Sequence, residues 1–353
     1  GEIAQALEIA EHGKNACLNW LLSGWTDEII SPNYPSIHQL LNPTTAIIYW
    51  HISPCALRTF IIKYNSPEPI PIFTPVLNVA VIDEMPLPEV LQRLVEFEDW
   101  LEDWNEQYRE YRQLQANGAS IKSSQSWQAD MEQRLLNLKN ILNISTIVNE
   151  LEDITHLILI PHRDLHRFPL HALFNLSSPW DEELLQPHSF TFTYLPSAQI
   201  GLSLKSQPLA QVQNLPLLFV EHPESTNDPA RQFAQLESEA ISLMLNRSQR
   251  ILGSQVSKSQ VEIALSSDYN IFHFQGHVTD NFSQPQKSEF VLAGEDKLTI
   301  EEICNNSTAS YNLITLSTCE TALNNNQNIT TEYAGLVSVF LTQGVGHILS
   351  TLW

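Results

Sequence analysis

Basic residues are scarce in this chain. Its 40 acidic side chains face only 18 lysines and arginines, and the formal charge is −22. Most of such a surface repels a phosphate backbone, so direct nucleic-acid binding is not expected. The charge favours solubility, and it can steer basic protein segments toward the surface. Cysteine is also sparse. The four thiols, at 17, 55, 304 and 319, have spacings that form no disulfide framework and fit a reducing, cytoplasmic compartment. No stretch approaches the roughly eighteen apolar residues of a membrane span, so no membrane partner is expected. The opening residues, GEIAQALEIAEHGKNACLNWLL, lack the basic-then-apolar build of a secretory signal. A P-loop, a Rossmann glycine fingerprint and a G-x-S-x-G elbow are all missing. No cofactor is expected.

What is present is a globular alternation. The 353 residues, 43 % of them apolar, are enough for two or three domains. Frequent Asn and Gln would suit a bacterial source. Residues 2–22 read as an amphipathic helix, with Ile3, Ala6, Leu7, Ala10, Ala16, Cys17 and Leu21 at three- and four-residue steps. TAIIYWHIS and LRTFIIKYNS, joined by PCA, read as a hairpin that opens a new domain. PEPIPIFTP is too proline-rich for a central strand. Residues 88–116 and about 127–142 read as helices, with a break at NGASIKSSQS, and HLILIP reads as a buried strand. From about 214, strands alternate with helices. LPLLFVE, QRILG, YNIFHFQGH, YNLITLS and VGHILSTLW are strands, and EFVLAG with KLTI forms a small hairpin. The helices between them include one capped by Asp228 and one by Ser257. That pattern implies a parallel sheet covered on both faces.

In such sheets reactive groups collect at the carboxyl ends of strands. Here His277 follows the run 270–275 and Cys319 follows the run 312–318. If the two strands are neighbours, an imidazole meets a thiol across one edge. An ordinary thiol, with a pKa near ~8.5, needs such a partner to become a nucleophile. The backbone N–H of Cys319, just past a strand, and the backbone from Gly276 to Val278 are candidate donors to an oxyanion, Gly276 permitting an unusual turn. A buried structural thiol and a structural histidine are the alternative reading of the same residues.

Two further clusters invite a metal reading. His162, His166 and His171 lie close together in PHRDLHRFPLH, but Pro161 and Pro169 break any helix that would align them. His273 and Cys304 invite a zinc site with His277 and Cys319. On a strand, however, His273 and His277 stand about 13 Å apart, too far to share an ion. No metal is expected. His51 and His347 sit in apolar runs and are expected to be structural.

FHFQGHV, SEFVLAGEDKLTIEEI, LITLSTCETAL and EYAGLVSVFLTQGVGHILSTLW resemble, in order, the blocks of the CHAT domain, a caspase-like peptidase domain associated with tetratricopeptide repeats and related to separases. IIYWHISPCALRTFII, LILIPHRDLHRFPLHAL and FTYLPSAQI resemble its earlier part, and ALEIAEHGKNACLNWLL resembles the helix that joins it to a repeat array. The resemblance implies an α/β fold: a caspase-like open, mostly parallel sheet with helices on both faces, preceded by a degenerate caspase-like half and an N-terminal helix. It divides the chain into 1–42, the end of a repeat array; 43–205, the degenerate portion; and 206–353, the active portion. It implies a cysteine endopeptidase whose catalytic residues are His277 and Cys319. Its partners are a protein substrate and a regulatory protein bound through the helical repeats. The family's pattern is expected to continue past Trp353 with further helices and an acidic loop.

The chain departs from the pattern in places. Val278 stands where the family often has Gly. The local caspase signature Q-A-C-x-G is absent. Ser317 stands where metacaspase-like relatives carry an Asp for a basic P1 side chain. Glu320 could line the cleft or orient the turn. The competing expectation is a catalytically inactive scaffold that binds partners.

Overall fold

The computed structural model of the chain describes residues 2–72, 81–82, 85–86, 89–116, 127, 129–176, 189–204, 215–221, 229–244, 247–279, 281, 283–307, 311–319 and 336–350. It divides into two compact units, one of residues 1–10 and 33–195, the other of 11–32 and 196–353. The division falls near 195 rather than 205, and it splits the segment 1–42. The helix Glu2–Leu21 contributes to both units.

In the first unit, strand β1 (Thr45–Ser53) turns at Pro54-Cys55 into antiparallel β2 (Ala56–Lys63). Strand β3 (Ile70–Ile72) lies at the edge, where Pro71 removes no central ladder bond. A short pair, β4 (Val81–Ile82) and β5 (Met85–Pro86), stands apart. Strand β6 (His156–Ile160) runs parallel to β1, and β7 (Thr191–Tyr194) parallel to β6, giving the order β3-β2-β1-β6-β7. The helix Glu89–Ala116 supplies Leu94, Phe97, Trp100, Trp104 and Tyr108 to the core over this sheet, at a spacing that keeps them on one face. Trp104 meets Trp127 and Phe168 edge to face at 4.7 and 5.0 Å. Aromatic pairs of this geometry add about 1 kcal/mol each beyond the area they bury.

The second unit is α/β. Its parallel strands are β8 (Leu217–Glu221), β9 (Ser248–Leu252), β10 (Ile271–Thr279), β13 (Leu313–Cys319) and β14 (His347–Ser350), in the order β9-β8-β10-β13-β14. Strands β11 (Glu289–Val291) and β12 (Lys297–Thr299) form a hairpin that pairs antiparallel with the last residues of β10. The central strands bury apolar residues on both faces. Phe272, Phe274 and Val278 pack with Phe290, Ile303, Cys304 and Phe340. On the opposite face, Leu217, Phe219 and Ile271 pack with Ile241 of the helix Pro229–Met244. Ser257 occupies the N-cap position of the helix Lys258–Leu265 without a side-chain capping bond. Asp228, the other expected cap, lies outside the described residues. Among the described residues no helix is long and apolar enough to cross a membrane.

Candidate active site

The site is built on β10 and β13. The two strands pair in parallel from Ile271↔Leu313 through Gly276↔Thr318 to His277↔Cys319. Strand β10 is buried through Phe274, half-buried at Gln275 and Gly276, and exposed at His277. Beyond Phe274 exposure alternates: His277 and Thr279 are exposed while Val278, on the other face, stays buried, so only the face that carries His277 opens to solvent. Backbones of neighbouring strands lie about 4.8 Å apart. Register alone therefore brings position 319 beside position 277, although many intervening residues separate them in sequence.

Both strands run further than their apolar residues suggest. His277 lies within β10, which continues to Thr279, and Cys319 is the last residue of β13 rather than the first beyond it. The sequence places Cys319 just past the run 312–318 and His277 just past the run 270–275, although YNIFHFQGH as a strand already includes the histidine. Pairing with β13 and then β11 carries β10 through polar Gln275, Gly276 and His277. Two expectations change as a result. Gly276 is strand backbone in register with Thr318, so it makes no unusual turn. Cys319 belongs to the ladder, so its amide cannot be assumed free for lack of a partner strand. Val278 is paired with Phe290, and its side chain is buried in the core. Ser317 is half-buried and in register with Gln275. Glu320 lies outside the described residues.

Below the strand ends the sheet carries a polar layer. Two positions before His277, on the same face by strand alternation, is Gln275, and two before that is His273. His273 is 6 % exposed. Its ring stacks on Phe219 of β8 with centroids 4.2 Å apart, and its Nδ1 shares a 2.5 Å hydrogen bond with Thr315 Oγ1 on β13. Burial pushes its pKa down to about 4, so the ring is neutral near pH 7. At the carboxyl end of β8, buried Glu221 accepts a hydrogen bond from Ser238 Oγ at 3.0 Å and lies 3.8 Å from Arg250 Nη2. Arg250 in turn donates to Ser238 Oγ. Sequence reasoning considered His273 only as a metal ligand and did not single out Glu221, Ser238 or Arg250. A polar residue inside an otherwise apolar strand was the available signal.

The histidines weighed as ligands have other partners. His162 Nδ1 accepts from the backbone N–H of Ile52 at 2.8 Å, and its ring stacks on His51. His171 Nδ1 lies 2.9 Å from Tyr194 Oη, which also accepts from the His171 N–H. Cys304 packs with Phe272 and Phe274, on the face opposite His273, and burial pushes its thiol up to about 12. Among the described residues no group of three or more His, Cys, Asp or Glu is placed to hold a metal ion.

Comparison with known proteins gives one family. The model of the CHAT domain matches residues 132–353, which include every element of the site. No curated protein matches the chain.

Proposed function

This chain belongs to the CHAT-domain family, whose model spans more than half of it, and on that premise we propose that it is a caspase-like cysteine endopeptidase acting through His277 and Cys319. The observation that supports this most directly is the register His277↔Cys319 at the carboxyl ends of adjacent parallel strands. That is where open α/β sheets hold their reactive groups.

The chemistry follows from the two side-chain types. Cys319 loses its proton to His277, and the thiolate sulfur attacks the scissile carbonyl carbon. The tetrahedral intermediate collapses with breakage of the C–N bond, and the imidazolium returns its proton to the leaving amine. Water, deprotonated by His277, then attacks the thioester and releases the carboxyl product with the free thiol. The backbone near Gly276, Val278 and Cys319 is the nearest source of oxyanion donors once substrate is bound. Ser317 and Glu320 are candidates to line the cleft. The substrate in this reading is a protein cut at selected sites. The first unit acts as the degenerate half, and a regulatory protein partner acts through helical repeats associated with the N-terminal helix.

The test compares the protein and its Cys319→Ala variant on a proteome-derived peptide library, with new termini sequenced by mass spectrometry. Cuts made by the wild type and absent from the variant are expected, and their P1 residue defines specificity. His277→Ala should lower kcat/KM by at least about a thousandfold, comparable to other losses of a nucleophile's base. Identical cleavage by wild type and Cys319→Ala would sink the reading. Absence of cutting by both, with the regulatory partner present, would leave the scaffold.

A further inference from the structure

A buried imidazole in the middle of a β-sheet calls for an explanation. His273 lies in the central strand of the second unit, and its Nε2 is buried without a hydrogen-bond partner among the described residues. An apolar residue there would avoid the cost of that unsatisfied nitrogen. What the imidazole provides is a tie across three strands. Its ring lies on Phe219 of β8, its own backbone is in β10, and its Nδ1 is bonded to Thr315 of β13. His273 and Thr315 are themselves register partners. Counting along both strands, the pair sits four residues before His277 and Cys319, on the same alternating face.

Main-chain hydrogen bonds between parallel strands are the same in every register. Side chains decide which register forms, and a slip of one residue exchanges the two faces of a strand. The β13 segment Leu313-Ile314-Thr315-Leu316 offers two leucines and an isoleucine, which discriminate weakly among apolar neighbours. A directional bond between one buried nitrogen and one hydroxyl does discriminate, because any other register leaves both unpaired.

We propose that His273 and Thr315 are positioning residues, and that their hydrogen bond holds β13 on β10 at the register and spacing that set Cys319 against His277. The inference rests on the peptidase reading. Because burial keeps the His273 ring neutral at working pH, the tie does not titrate where the dyad operates.

The test reads the thiol itself. Alkylation of Cys319 by iodoacetamide is followed from pH 5 to 9 and resolved from Cys17 and Cys55 by peptide mass spectrometry. It is run on wild type, His277→Ala, His273→Leu, Thr315→Val, and two conservative variants. His273→Asn keeps a polar group where Nδ1 stands, and Thr315→Ser keeps the hydroxyl. Melting temperature and circular dichroism accompany each variant. The expected result is that His273→Leu and Thr315→Val lose the His277-dependent part of the profile. Their alkylation near pH 7 should fall about tenfold, as small misplacements of paired groups do, while His273→Asn and Thr315→Ser stay within about twofold of wild type. A folded His273→Leu and a folded Thr315→Val that keep the wild-type profile would overturn the inference and leave the dyad standing. If His277→Ala itself keeps the wild-type profile, the dyad reading fails, and the positioning role fails with it. Should the apolar variants not fold, the conservative pair decides: a wild-type profile in both supports the tie, and loss of the profile in both refutes it.

Discussion

At the scale of single residues, burial sets the chemistry of Cys304 and His273. Cys304, with its pKa pushed up to about 12 by burial, stays protonated across the working range, and the thiol form does not alkylate. In native protein at pH 8, Cys304 should remain unlabelled by iodoacetamide over hours and become labelled only in denaturant. Rapid native labelling would contradict its burial. For His273 the folded pKa of about 4 lies below the ordinary 6.5. Between those values the unfolded chain binds the extra proton, so stability falls as pH drops from about 6.5 to about 4 and levels off below. The shift corresponds to roughly 3 kcal/mol. His273→Asn should flatten that part of the stability-versus-pH curve, as read by urea melts at pH 7, 5.5 and 4.5. The residue types at 277 and 319 could be read in the sequence as a candidate pair. The partners of His273 could not, because a stack on β8 and a bond to β13 depend on strand order, which no local pattern encodes.

At the scale of elements, apolar runs located the strands, and pairing with neighbours set where they end. TAIIYWHIS, HLILI and the core of YNIFHF are where the pattern put them. The extension of β10 through Thr279 comes from ladder pairing that polar residues tolerate once neighbours are present. Strand β7, TFTY, has only one residue that is even half-buried, so no buried apolar face marks it in the sequence. A capping box also escaped notice. In T-I-E-E, the Glu302 N–H donates to Thr299 Oγ1 at 3.1 Å, and Glu302 Oε2 accepts from the Thr299 N–H at 2.8 Å. This closes the start of the helix Ile300–Ser307, which packs Ile300, Ile303 and Cys304 into the core beside β10. Burial raises the Glu302 pKa, but the bonds from Lys258 and Thr299 outweigh it, and the carboxyl is held below its ordinary range. The box is thus intact above the ordinary carboxylate range and is lost as pH falls through the lowered folded value. Thr299→Ala should cost about 1 kcal/mol at pH 7, measured by chemical denaturation, and less once pH has fallen through the lowered folded value.

At the scale of the whole molecule, charge is the property read most directly from composition. With −22 on the chain, encounter with a basic substrate segment should be accelerated at low salt, and ions should screen that advantage. For the peptidase reading, kcat/KM on a peptide flanked by lysines should drop several-fold between about 50 and 500 mM salt, while a neutral peptide of the same cleavage sequence changes little. Equal salt dependence for both peptides would remove steering. The α/β class was legible from alternation, since the parallel strands of the second unit alternate with helices. The position of the division between units was less so, because the residues near 195 carry no run of Gly, Pro or charge. The pairing of β10 with β13 has one more consequence, in time rather than space. Partners such as His273 and Thr315 lie 42 residues apart in the chain, and a contact of that separation forms late, after the intervening loop has closed. On the peptidase reading, the juxtaposition of positions 277 and 319 is therefore absent from a nascent or partly unfolded chain and arrives only with the finished sheet, so alkylation of Cys319 would serve as a clock for folding as well as a test of the site.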